Sequence, residues 1–173
     1  MPDSAARGIV AKRSFPPVVD LRSRVLVLGS LPGEESLRRA EYYAHPRNLF
    51  WPILAALFGK PVPEAYPEKL TLALRHRIAL WDVVGAGERH ASADSTIRLH
   101  EPNAIDRLLE AYPAIRGLAF NGSTARRLFK RHFAHRPGLT YLALPSTSPA
   151  HARLGFAEKL ERWRVLRELA DPG

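Results

Sequence analysis

Apolar residues fall along this chain in short unbroken runs alternating with helical stripes. Arg24-Val25-Leu26-Val27-Leu28-Gly29 is a compact β-branched and leucine run closed by glycine, the pattern of a parallel strand buried on both faces. Ile78–Val84, Gly117–Asn121 and Thr140–Leu144 predict three more strands. From Asn48 to Phe58, apolar residues at Phe50, Trp51, Ile53, Leu54, Leu57 and Phe58 predict a helix, which Gly59 and Pro61 end. Pro102-Asn103 opens another, with Ile105, Leu108, Leu109 and Tyr112 on one face; Thr124–Arg131 and a last stripe of Phe156, Leu160, Trp163 and Leu166 complete the set. Strands alternating with helices predict an α/β fold with a parallel sheet covered on both faces, and place the chemistry at the carboxyl ends of its strands. A long loop rich in Gly and Pro follows Gly29, and the polar stretch Gly85–Glu101 also reads as loop. Residues 1–20, rich in Pro and small side chains, read as a loosely ordered arm, and no repeat or linker divides residues 21–173, which read as one domain.

Composition narrows the functional classes. At 173 residues and 46 % hydrophobic content, one domain can bury a real core. The chain has no cysteine, which excludes disulfides, thiolate zinc sites, cysteine-held iron–sulfur clusters and a cysteine nucleophile. No apolar run approaches the ~18 residues of a membrane span, and the first twenty residues lack a signal-peptide core, so a soluble, cytoplasmic protein is expected. The net charge of +9 comes from 26 Lys plus Arg against 17 Asp plus Glu, with arginine far ahead of lysine. Guanidinium presents a planar fork to phosphate oxygens, so this balance points to a polyanionic partner. No basic amphipathic helix stands apart from the core helices, which argues against a membrane surface.

The strand ends carry the candidate chemistry. The first runs into Gly29-Ser30-Leu31-Pro32-Gly33, a turn that brings backbone N–H groups close to a ligand; it matches neither a P-loop nor a dinucleotide fingerprint. The third ends in Asn121-Gly122-Ser123, where the asparagine either caps the next helix or reads a nucleobase edge, since a carboxamide offers both donor and acceptor. The fourth runs into Pro145-Ser146-Thr147-Ser148-Pro149-Ala150-His151, with Arg153 just beyond: prolines stiffen a loop whose hydroxyls suit phosphate oxygens. Densest of all is Tyr42-Tyr43-Ala44-His45-Pro46-Arg47-Asn48-Leu49-Phe50-Trp51 at a loop-to-helix junction. A flipped base needs an aromatic face and polar groups for its edge, and this segment holds both.

In order along the chain, GSLPGEESL (29–37), YYAHPRNLFWPIL (42–54), LWDVV (80–84), FNGSTA (120–125) and LPSTSPAHA (144–152) resemble the uracil-DNA glycosylase superfamily, closest to its hypoxanthine-DNA glycosylase (DNA-deoxyinosine glycosylase) branch. The resemblance implies a three-layer α/β/α domain around a four-stranded parallel sheet, and monofunctional cleavage of the N-glycosidic bond without a cofactor or metal. It implies that Gly29, Ser30 and Leu31 line the base site, that Tyr43 stacks on the extruded base and that Asn121 reads it. Several branches position water with an Asn or Asp in the first motif; here Leu31 stands there, and the role passes to Asn48. Ser146, Thr147, Ser148, Pro149 and His151 match the loop that presses on the minor groove, with Arg153 behind it.

The resulting expectation is a monomeric enzyme acting on double- or single-stranded DNA that holds a deaminated base. Extrusion costs a few kcal/mol, less at a lesion. Asn48 holds the water that attacks C1′, a positioning role that suffices when the electrophile is cation-like. Asp82 and Asp94 are carboxylate alternatives, either for stabilising the sugar cation or for activating water, though Asp82 equally suits a structural hydrogen bond. Rival readings are a uracil or G/T(U)-mismatch glycosylase, a DNA-binding module without catalysis, and a hydrolase of free nucleotides, the last weakened by the missing loop lysine.

Overall fold

The computed structural model describes residues 9–90 and 100–171. The four predicted strands form β2 (Val25–Gly29), β3 (Ile78–Asp82), β6 (Gly117–Asn121) and β7 (Thr140–Leu144), all parallel, in the spatial order β3-β2-β6-β7. From β2 the chain moves first to one side, to β3, and then returns to the other, to β6 and β7. The order therefore reverses at β2, and a crevice opens beyond the carboxyl ends of β2 and β6.

Alternation along β2 sorts the core into two layers. Val25 and Val27 pack with α2 (Phe50–Leu57), α3 (Tyr66–Arg75) and α6 (Phe156–Ala170), centred on the fully buried Phe50, Leu54 and Trp163. Leu26 and Leu28 pack on the opposite face with α4 (Ile105–Ala111) and α5 (Ser123–His132), through Ile105, Leu118 and Phe129. This period of two, with both faces apolar, is why the strand reads as an unbroken hydrophobic run. The last helical stripe needs one correction: Phe156 is 40 % exposed, and the buried face of α6 runs instead through Lys159, Trp163, Leu166 and Ala170.

The stretch read as an arm is structured from Ile9 onward among the described residues. Ile9–Arg13 forms β1, antiparallel to β4 (Val84–His90), which pairs in turn with β5 (His100–Pro102). The Gly85–Glu101 stretch read as loop thus supplies most of two strands, and Asp94 lies outside the described residues. Val18 exchanges both backbone hydrogen bonds with Leu80 at 2.9 and 2.8 Å, and so covers the outer edge of β3. Pro16 and Pro17 precede that bridge, where their missing N–H groups break no ladder. A short helix, α1 (Glu34–Arg39), follows the Gly29–Gly33 turn; its glutamates sit in the first turn and its arginines in the last, as the helix dipole favours. Among the described residues no helix is long and apolar enough to cross a membrane.

Candidate active site

The crevice at the strand ends encloses a cavity of about 510 Å³. Its floor is the end of β2 and β3, where Gly29 and Asp82 are register partners. A Cβ on Gly29 would meet Asp82 Oδ1 at 2.6 Å, so glycine is what admits the carboxylate beside the strand. Gly29 and Ser30 do not hang loose: their carbonyls accept from the N–H groups of Val83 and Val84 at 2.8 and 3.1 Å. Leu31 is 5 % exposed and belongs to the layer under α4 and α5, so it offers the cavity an apolar wall.

One side is built by the Tyr42–Asn48 segment. Tyr42 is anchored by three contacts: its N–H donates to Tyr66 Oη at 3.0 Å, its hydroxyl to the Pro16 carbonyl at 3.0 Å, and its carbonyl accepts from Trp51 Nε1 at 2.9 Å. This fixes Tyr43 in the left-handed region at φ 55, a conformation a bulky residue rarely adopts. The Tyr43 ring stacks on Phe50 at 4.1 Å and 28°. Its hydroxyl is buried and has no hydrogen-bond partner among the described residues. Burial, and then the nearby charge of Asp82, push this phenol above its usual range, while the Asn121 carboxamide pulls the other way. Asn48 sits in a turn of its own, its N–H donating to the His45 carbonyl and its Oδ1 accepting from Phe50 N–H, both at 2.9 Å. The side chain is thus held at the mouth of α2 while it lines the cavity.

The opposite side is the loop after β7. Asn121 donates from Nδ2 to Thr147 Oγ1 at 2.9 Å and accepts at Oδ1 from Thr147 N–H at 3.0 Å. It does not cap α5: the cap position is Gly122, at φ 99, and no side chain bonds there. Each end of the carboxamide keeps one further hydrogen-bonding position, so Asn121 can pin the loop and still meet a base. Thr147 also accepts, through its carbonyl, from Leu49 N–H at 3.0 Å, which locks the Asn48 turn to the loop. Ser146 and Ser148 accept through Oγ from the N–H groups of Ser148 and Ala150 at 3.2 and 3.3 Å. With the oxygens used as acceptors, each hydroxyl still has its hydrogen to donate. Behind the loop, Trp163 Nε1 donates to the Pro145 carbonyl at 2.9 Å and Lys159 Nζ to that of His151 at 2.6 Å.

A model of the Uracil DNA glycosylase superfamily matches residues 16–169. The chain belongs to this superfamily. It is similar to a hypoxanthine DNA glycosylase of Methanosarcina acetivorans, 38 % identical over 157 residues that cover 90 % of this chain and 98 % of the relative. A second relative of that description, from Methanosarcina barkeri, is 39 % identical over 112 residues, covering 64 % of this chain and 71 % of the relative. A solution NMR structure from M. acetivorans, described provisionally as a uracil DNA glycosylase, superposes with a TM-score of 0.75 at 36 % identity, covering 91 % of this chain and 99 % of that one.

This superfamily member brings almost all of its sequence-predicted site residues to one cavity. Asn48, Gly29, Ser30, Leu31, Tyr43 and Asn121 line it together. So do Ser146, Thr147, Ser148, Pro149 and His151, whereas Arg153 is exposed and lies off the lining. Phe15, Glu35 and Asp82 also line it. Phe15 escaped the sequence reading because it lies in the stretch taken for an arm; its ring meets Tyr42 edge-on at 5.2 Å. The Glu35 carboxyl is held down at about 2, first by its hydrogen bond to Arg38, against some desolvation, and then by Arg39. Replacing Thr147 with Val keeps the shape but removes the acceptor for Asn121 Nδ2 and should cost about 1 kcal/mol. A melting temperature lowered by a few degrees, with weaker excision, is the expected result; unchanged melting would remove Thr147 as the pin.

Proposed function

We propose that this protein is a DNA glycosylase that extrudes a deaminated base, hypoxanthine in deoxyinosine, and hydrolyses its N-glycosidic bond to leave an abasic site. The observation that carries this reading is that Asn48 and Tyr43, the latter stacked on Phe50, line one cavity at the reversal point of the sheet. The relatives described as hypoxanthine DNA glycosylases support the choice of base.

Each part of the cavity then has a task. Hydroxyl hydrogens of Ser146 and Ser148, with exposed Arg153 beyond the rim, hold the phosphates of a single- or double-stranded substrate. The base enters against Tyr43, whose other face is backed by Phe50, and its edge is met by Asn121 and the Gly29–Leu31 backbone. Departure of the base leaves positive charge on the sugar, and Asn48 holds water for attack at C1′. The base departs with the bonding electron pair as an anion. A carboxamide is too weak a base to deprotonate water beforehand, so the water's proton is lost as its oxygen bonds to C1′ and ends on the departed base. In this reading the protein acts as a monomer.

The decisive assay uses labelled single strands and duplexes containing hypoxanthine, uracil, xanthine or a G·T mismatch, incubated in EDTA and then treated with alkali. Alkali-dependent breaks at hypoxanthine are expected. Breaks at uracil alone would move the substrate to uracil, and a salt-sensitive gel shift without breaks would leave a DNA-binding module.

A further inference from the structure

Lys159 is 2 % exposed, the one buried cation among the described residues. It stands one turn into α6, where the positive end of the helix dipole disfavours a further positive charge. Its neighbour Glu158 is exposed, and no carboxylate pairs with Lys159 among the described residues. Burial alone lowers its ammonium from the ordinary lysine value. The Nζ donates to the His151 carbonyl at 2.6 Å, a length that fits an ionised donor. An ammonium carries three hydrogens, and the described protein offers this one a single acceptor. Four residues on, along the same face of α6, Trp163 Nε1 donates to the Pro145 carbonyl at 2.9 Å. These two side chains tie both ends of the loop after β7, whose residues between them line the cavity. A neutral donor would hold the His151 carbonyl without burying a charge, so holding the loop does not account for a lysine.

The uncompensated charge lies against the surface that the substrate meets. Every residue from Ser146 to His151 lines the cavity, whereas Lys159 does not, so its ammonium reaches the cavity through the loop. The loop is narrow there: the His151 N–H donates to the Ser148 carbonyl at 3.0 Å and closes a turn. Charges act over longer distances where water is excluded, so a phosphate seated on the Ser146 and Ser148 hydroxyls lies within the field of this cation. We propose that Lys159 is a positioning residue for DNA: its ammonium fixes the His151 end of the loop and supplies a positive charge that a backbone phosphate neutralises. The cation is costly in the free protein and compensated in the complex, which makes it a device for affinity and not for stability. The inference rests on the reading that this loop receives the DNA backbone.

The test compares wild type with Lys159→Met, which fills a similar volume without charge, and Lys159→Gln, which keeps a donor for the His151 carbonyl. Affinity for single-stranded deoxyinosine DNA should fall about tenfold in both, and the slope of log Kd against log salt should flatten by about 0.7, the share of one phosphate. In single-turnover excision the loss should appear in the half-saturating protein concentration and not in the rate at saturation. A merely structural lysine would lower the melting temperature and leave the salt slope as it is, because that slope counts charges. A second measurement needs no variant. The Lys159 Nζ resonance of the wild-type protein should shift on binding DNA with an abasic site, and shift less when the phosphates beside that site are methylphosphonates. The proposal is overturned by folded variants that keep the wild-type salt slope, or by a Lys159 resonance indifferent to those phosphates. Methylphosphonates that leave wild-type affinity unchanged would instead defeat the reading that the loop receives the backbone.

Discussion

Asn48→Ala should lower single-turnover excision of hypoxanthine by tenfold or more, in the range typical of removing one positioned group, while binding of deoxyinosine DNA stays close to wild type. The side chain is positioned by the Phe50 N–H that Oδ1 accepts, and that N–H is one of the unsatisfied donors at the start of α2. Truncation therefore has a second consequence, a loss of about 1 kcal/mol from the helix start. Asn48→Asp separates the two effects: it keeps the acceptor for Phe50 and should restore the melting temperature. Measured well below the melting transition, an excision rate that falls in Asn48→Ala reports the water site and not unfolding. Unchanged chemistry in Asn48→Ala, beside an inactive Asp82→Asn, would transfer the role to the carboxylate.

The parallel sheet was legible because burial on both faces leaves a local trace. Val25–Gly29 and residues 117–120 are unbroken apolar runs, and α2 shows its stripe within eight residues. β1 and β4 leave no such trace. They pair Arg13 with Ala86 and Ile9 with His90 across most of the chain's first half, and the composition of Val84–His90, with two glycines and three polar residues, favours a strand only once a partner is beside it. The same reasoning explains the site. Asn48, Tyr43 and Asn121 could be found from local chemistry at a junction or strand end. The role of Asn121 could not, because its bonds to Thr147 span 26 residues and depend on how two loops meet. Asp82 looked like a structural hydrogen-bonder within LWDVV; only the register that sets it beside Gly29 brings it to the cavity floor.

That register also makes Gly29→Ala the most damaging small substitution expected at this site. The backbone of β2 would accept alanine, but its methyl would fall 2.6 Å from Asp82 Oδ1. Ser14 holds Oδ2 and the β3 backbone is paired on both sides, to Val18 and to β2, so the carboxylate cannot withdraw without breaking its support. Overpacking of this kind costs about 1–3 kcal/mol. Excision of hypoxanthine should fall by about a hundredfold, because the displaced carboxylate moves into the space meant for the base. The Tyr43 hydroxyl, at 3.4 Å from the same point, is in ordinary contact and should not be the source of the loss. A double-mutant cycle decides between the two neighbours. In an Asp82→Ala background, Gly29→Ala should become nearly neutral in chemical denaturation, a coupling of at least about 1 kcal/mol between residues in direct contact. Stabilities that simply add would exclude the Asp82 clash as the cause.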